Sequence, residues 1–247
     1  MKKFSIDINC DVGEGMGNES QLLPLISSCS IACGGHAGDE ESMSMSISLA
    51  QKHGVRIGAH PSYPDRKNFG RISIKLSPGD LLQSIRGQLS DFRMILDQKQ
   101  AELHHIKAHG ALYNDMIKDS KLAENFIQAI KPFINGVKLY APGNSALAMA
   151  ATRHDIAVSY EAFADRNYNK DLSLVSRSEA GALITSPESV LEHLVRMVHR
   201  GEVKTLQGQM VNIKANTYCI HGDTSSALQI LMYLAEELPR QRISIER

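Results

Sequence analysis

Ile31-Ala-Cys-Gly-Gly-His-Ala-Gly-Asp39 reads as a buried strand that breaks on two glycines, presents His36 and feeds a helix opening at Asp39-Glu40-Glu41. Glycine permits positive φ and close backbone approach, and acids in the first turn complement the helix dipole. The same shape recurs in Val55-Arg-Ile-Gly-Ala-His60-Pro, Ile106-Lys-Ala-His109-Gly and Tyr218-Cys-Ile-His221-Gly-Asp223. One strand ending in His-Gly means little. Four of them predict a ring of strand ends converging on a polar site.

Working outward, Phe4 to Val12 alternates strictly, with Phe4, Ile6, Ile8, Cys10 and Val12 on one face and Asp7, Asn9 and Asp11 on the other. A half-exposed edge strand would show the same pattern. The strand runs into Gly13-Glu-Gly-Met-Gly17, however, so the acids are assigned to a polar barrel lumen. A helix is expected from about Glu40 to His53 with Gly54 closing it, its Met43, Met45 and Ile47 packing the core. Pro61 to Arg71 reads as a long ordered loop. Ser77-Pro78-Gly-Asp80 starts a second helix with Leu81, Leu82, Ile85, Leu89, Phe92, Ile95 and Leu96 on one face.

Further strands are expected at Leu103–His109, Lys138–Ala141, Val158–Asp165 and Thr217–His221, with helices between them and a hairpin around Gly208. Strands alternating with helices argue for a parallel sheet wound by crossovers. About seven such strands predict an α/β fold, an irregular parallel β/α barrel resembling a TIM barrel, in one domain spanning residues 1–247. No GxGxxG follows a strand, which argues against dinucleotide binding.

Lys+Arg and Asp+Glu number 27 each, so no charge imbalance points to nucleic acid or an anionic membrane. No apolar run approaches the ~18 residues of a membrane span, and Asp7 and Asn9 interrupt any signal-peptide core after Met1-Lys-Lys. Cys10, Cys29, Cys33 and Cys219 form no CxxC pair and read as buried free thiols, which implies a reducing cytoplasm.

A barrel of this kind carries its site at the C-terminal strand ends. Assigned there are Asp7, Asn9, Asp11, His36, His60, Lys107, His109, Glu161, Asp165, Arg166, His221 and Asp223. Acids, imidazoles and a lysine on inward faces are costly to desolvate unless paired, which makes the set a functional candidate. His193 and His199, six apart on an amphipathic helix, read as surface residues, as do His104 and His154. GxxxxGK[ST], GxSxG and HExxH are absent. Asp11, His36 and His60 are candidate ligands for a divalent metal.

These motifs together closely resemble the LamB/YcsF family, the A subunits of bacterial ATP-dependent 5-oxoprolinases. The resemblance rests on Ile6–Gly17, Ile31–Asp39, Gly58–Asp65 with Phe69-Gly-Arg71, Ile106–Asn114, Glu161–Arg166 and Cys219–Thr224, in the family's order. Ala108 stands where the family commonly has proline, and Gly35 where many members carry phenylalanine, which implies a wider pocket near His36. The resemblance implies a barrel akin to the glycoside hydrolase and deacetylase barrels, and opening of 5-oxoproline to glutamate with ATP as co-substrate. It implies B and C subunits as partners; self-association into a homo-oligomer is compatible with it.

The chemistry requires a base, a cation for developing charge and donors to the substrate carboxylate. Asp7 or Asp11 are candidates for the base, Lys107 and Arg166 for the cations, and His36, His60 or His109 for proton shuttles. Asn9, Glu161, Asp165, Arg166, His221 and Asp223 are the remaining substrate-binding candidates. The alternatives are a metal-dependent amide or carbohydrate deacetylase, and a substrate-binding component without chemistry of its own.

Overall fold

The structure, a computed structural model, describes residues 3–247, so Met1 and Lys2 of the basic start lie outside it. Its strands are β1 (Phe4–Val12), β2 (Ser28–Ala32), β3 (Arg56–His60), β4 (His105–Lys107), β5 (Lys138–Pro142), β6 (Val158–Phe163), β7 (Glu202–Lys204), β8 (Met210–Asn212), β9 (Thr217–Cys219) and β10 (Ile243–Ile245). The order β1-β2-β3-β4-β5-β6-β9 closes back on β1 with every pairing parallel, giving a seven-stranded β/α barrel. β1 makes closure work because it is long. Asn9–Val12 pair with β2, Asp7–Asn9 with β9, and Phe4–Ile6 with β10 below. The hairpin expected around Gly208 is the antiparallel pair β7–β8.

Helices α1 (Glu19–Leu22), α2 (Glu40–His53), α3 (Pro78–Gln98), α4 (Gly110–Asp115), α5 (Ser120–Ile130), α6 (Ala146–Arg153), α7 (Pro187–Arg200) and α8 (Ala227–Glu237) complete the chain. Their boundaries follow local chemistry. Asp39 and Ser42 form a reciprocal cap on α2, which Gly54 ends in the left-handed conformation. Ser77 caps α3 at Pro78, and Leu81, Ile85, Leu89, Phe92, Ile95 and Leu96 are buried as the helical period predicts. In α2, Met43 and Ile47 are buried, but Met45 lies two residues round the helix and faces solvent. Three elements were not legible: the single turn of α1, the turn-and-a-half of α4, and β10, whose three residues carry little pattern.

The aliphatic face of β1 packs outward against the helices; the acid face is turned inward and buried, as the lumen reading requires. Instead of aliphatic layers, this lumen holds Asp7, Asn9, Asp11, Ser28, Ser30, His105, Lys107, Tyr140, Glu161 and Thr217. Gly58 is required by that filling. A Cβ there would lie 2.1 Å from His105 Nε2, so only glycine lets the ring stack on Tyr140 with centroids 3.9 Å apart. Among the described residues no helix is long and apolar enough to cross a membrane.

One of the surface readings is corrected. His193 is buried on α7, stacked over Tyr168, because it falls on the apolar face with Val190, Leu194 and Met197. His154 pairs with Glu124. His199 is exposed as expected.

Burial lowers the His193 pKa to about 4. An unfolded histidine titrates near pH 6.5, so between about pH 6.5 and 4 the unfolded chain takes up a proton that the folded chain refuses. Stability is therefore full above that window and falls as pH drops through it, by roughly 1.4 kcal/mol per pH unit. Thermal melts across pH 7.5 to 4.5 should show a shallower acid decline for His193→Phe than for the unsubstituted chain. Parallel slopes would place His193 in solvent.

Candidate active site

At the C-terminal end of the barrel the inward residues of β1, β4 and β6 meet around Lys107. Its Nζ lies 2.8 Å from Glu161 Oε1 and 2.9 Å from Asp11 Oδ1. Asn9 Oδ1 and Cys219 Sγ are each 3.2 Å away. An ammonium has three N–H donors, so all are committed within the protein. Burial opposes the charge, but Asp11 and Glu161 outweigh it and hold the lysine well above its usual range. Burial likewise opposes ionisation of Asp11, and His60 with Lys107 reverses this, leaving the carboxyl well below the usual range. Glu161 Oε2 accepts from the Tyr113 hydroxyl at 2.7 Å, from α4.

Beside this ion triad lies an imidazole cluster. His36 and His109 stack with centroids 3.6 Å apart, and His109 Nδ1 lies 3.0 Å from His60 Nε2. Their positions follow from the strand ends. His60 closes β3 and donates Nδ1–H to the Lys107 carbonyl at 2.8 Å; His109 follows β4 and donates Nε2–H to the Phe69 carbonyl at 3.0 Å. Phe69 sits at the tip of the ordered 61–71 loop and sets its ring edge-on to both His36 and His109. Burial first, and then the neighbouring imidazoles, lower the His36 pKa to about 2 and push that of His109 well down.

Glu14 completes the cluster and was not among the residues singled out from sequence. Gly13 and Gly15 both have positive φ and turn the chain back over the β1 end. This brings Glu14 Oε1 within 3.0 Å of His36 Nε2 and 3.3 Å of His109 Nδ1. Burial and then the Asp11 charge raise its pKa to about 7. The available signal was a carboxylate flanked by glycines directly after a lumen strand. Glu14, His36, His60 and His109 offer ligand atoms that all lie within 4.8 Å of one another, so this group has the composition of a metal site. It shares His36 and His60 with the set expected from sequence and adds Glu14 and His109; Asp11, with Oδ1 on Lys107, keeps Oδ2 3.4 Å from His60 Nε2 and falls in a second such group with Cys219 and His221.

A cavity of about 280 Å³ opens over these groups, lined by Asp11, Glu14, His60, Lys107 and His109 on one side and by Arg71, Arg166, Arg177, His221 and Asp223 on the other. Asp165 lies behind His221, accepting from its backbone N–H at 2.8 Å and facing its Nδ1 at 3.0 Å. Burial opposes the Asp165 charge, yet His221 keeps its pKa low. Asp223 is held by Arg71 and Arg177. Arg166 donates to the Val175 carbonyl at 2.7 Å and anchors the 167–185 segment over the cavity. Asn9, Glu161 and Asp165 stand behind the wall rather than in it.

Asp7 does not join the site. It faces the opposite, N-terminal rim, where Ser28, Arg56 and Thr217, the first residues of β2, β3 and β9, hold its carboxylate at 2.6–2.8 Å. Strand alternation gives the face of a residue but not which end of the barrel it reaches. Gly35 does not widen the pocket either. A Cβ there would lie 2.4 Å from Ser62 Oγ and 2.5 Å from Gln88 Oε1, so a glutamine of α3 fills the space. Ala108 lines the cavity.

Removing one partner of a buried ion pair typically costs about 3–5 kcal/mol, because the other charge is left buried and unpaired. Lys107→Met should therefore lower stability by about that much in urea denaturation, since it leaves Asp11 and Glu161 facing each other. Adding Glu161→Gln should recover part of the loss. A Lys107→Met change below about 1 kcal/mol would show that the triad is not holding the lumen.

The sequence pattern of the LamB/YcsF family matches residues 6–247. The chain is 40% identical over 245 residues to the 5-oxoprolinase A subunit of Haemophilus influenzae (strain PittEE), covering 99% of each chain. It matches the protein of the same name from strain 86-028NP equally well. The crystal structure of the lactam utilization protein from Thermus thermophilus superposes with a TM-score of 0.91 at 33% identity, over 98% of this chain and 99% of that one. With closure of the barrel and the family's motifs gathered at one rim, the chain belongs to the LamB/YcsF family.

Proposed function

We infer that this chain is the A subunit of an ATP-dependent 5-oxoprolinase, a single-domain cytoplasmic component that with B and C subunits opens 5-oxo-L-proline to L-glutamate. The names carried by its relatives support the substrate. The buried free thiols suit a reducing compartment. Small-molecule pockets usually run to roughly 300–1,000 Å³, so a cavity of about 280 Å³ suits a small cyclic amide and leaves little room for a nucleoside triphosphate. This favours a divided enzyme in which ATP is handled with the partner subunits.

A lactam carbonyl is a poor electrophile and its nitrogen a poor leaving group. Transfer of the γ-phosphoryl group to the amide oxygen relieves both. Water then adds to the activated carbon, the ring C–N bond breaks as nitrogen takes a proton, and a second water releases phosphate from the acyl phosphate. The observation that carries the reading is the Asp165–His221 pair at the cavity wall: a carboxylate that fixes one imidazole nitrogen leaves the other to accept a proton from water and return it to nitrogen. Asp11 is a weak base because the Lys107 ammonium pairs with its ionised form. Lys107, with every donor committed, positions Asp11 and Glu161 instead of touching substrate. Arg71 and Arg177 suit the anionic groups of the substrate.

The test is glutamate release from 5-oxoproline with ATP, with and without B and C subunits. Little turnover by the chain alone and recovery on reconstitution are expected. His221→Ala in the reconstituted enzyme should cost roughly 10²–10⁴-fold in rate with an unchanged melting temperature. Robust ATP-dependent turnover by the chain alone would overturn the divided enzyme, and ATP-independent deacetylation would favour the deacetylase reading.

A further inference from the structure

We propose that Glu14, His36, His60 and His109 form a binding site for one divalent transition-metal ion of the zinc class. The observation is a convergence of acceptors in which, with neutral rings, only His36 has an N–H to offer. A carbonyl oxygen only accepts, so the contact of His60 Nδ1 with the Lys107 carbonyl fixes a proton on Nδ1 and, in the neutral ring, leaves Nε2 bare. The contact of His109 Nε2 with the Phe69 carbonyl likewise leaves Nδ1 bare. These two bare nitrogens face each other at 3.0 Å. Glu14 Oε1 lies 3.3 Å from one of them and Asp11 Oδ2 3.4 Å from the other. Lone pairs brought together in a buried space repel unless a cation lies between them.

A proton shared by the two rings would answer only the His60–His109 contact. A metal ion answers the whole set. With bonds of ~2.0–2.1 Å to nitrogen, the edge of a tetrahedron is roughly 3.3–3.4 Å. The separations here are 3.0 Å for His36–Glu14, 3.0 Å for His60–His109 and 3.3 Å for His109–Glu14. A second, independent feature is the outer hydrogen bonding. Metal-binding histidines donate their other N–H to a carbonyl or carboxylate, which fixes tautomer and ring orientation, and both His60 and His109 do so. His36 supplies the third imidazole, with Nδ1 buried and without a hydrogen-bond partner. Three imidazoles and one carboxylate suit zinc or cobalt; magnesium and calcium prefer oxygen ligands. The site stands whether or not the 5-oxoprolinase reading does, because it rests on the cluster alone.

The test measures metal, not activity. The purified chain is dialysed against cobalt(II) or zinc(II), freed of excess by gel filtration, and counted by elemental analysis. One ion per chain is expected, with the intense visible bands of tetrahedral cobalt(II) and a rise in melting temperature with zinc. His60→Ala/His109→Ala should lose all three signals, and His199→Ala, at an exposed histidine outside the site, should keep them. Should the double variant fail to fold by circular dichroism, Glu14→Gln preserves shape and should weaken binding by about tenfold or more. Substoichiometric metal in the unsubstituted chain would overturn the proposal. So would retention of full occupancy in both Glu14→Gln and the folded double variant, or a strongly downfield proton resonance from the two rings that zinc fails to displace.

Discussion

The structure depends on one ammonium group held inside a barrel. Lys107 is 2% exposed, and Asp11 and Glu161, which flank it, are buried with it. Charges in such a place are tolerated only when each is paired and hydrogen-bonded. That requirement fixes β1, β4 and β6 relative to one another, since the three side chains belong to three strands that are not neighbours in sequence.

From Lys107 the bonding runs on down the lumen. Lys107 donates to Asn9 Oδ1, Asn9 Nδ2 to Thr217 Oγ1, and Thr217 to Asp7 Oδ1, where Arg56 closes the chain at the opposite rim. Burial raises the Asp7 pKa, and Thr217 and Arg56 work against the rise. A hydrogen-bonded lumen has directional contacts where aliphatic layers would slide, so it fixes strand register as well as filling space. The cost is intolerance: each member lost leaves another buried and unsatisfied.

The C-terminal rim is assembled by loops laid on that rigid base. The 61–71 loop supplies the Phe69 carbonyl that orients His109, and the Gly13–Gly17 turn returns Glu14 to the cluster. The 167–185 segment, held by Arg166, roofs the cavity and brings Arg177 to Asp223. Two imidazole environments are kept apart by this arrangement. His36 and His109 are forced neutral by burial, whereas His221 at the cavity wall is oriented by a carboxylate.

Strict alternation in β1, the Ser-Pro and Asp caps, the closing glycines and the repeated strand-His-Gly endings determined the barrel, its helix boundaries and most of the residues at its rim. These are local signals: periods of two and 3.6, and turns that need glycine. Depth, pairing and company were decided only by the tertiary structure. Asp7 and Asp11 share a face and a pattern, yet four residues of rise put one on Arg56 and the other on Lys107. Glu14 carries no periodicity and enters the site only because two positive-φ glycines reverse the chain. Gly35 looked like room in the pocket and is room for Gln88, which arrives from a helix some fifty residues away. Periodicity reports which way a side chain points; what it meets there depends on strand register and loop path, which no stretch of sequence contains by itself.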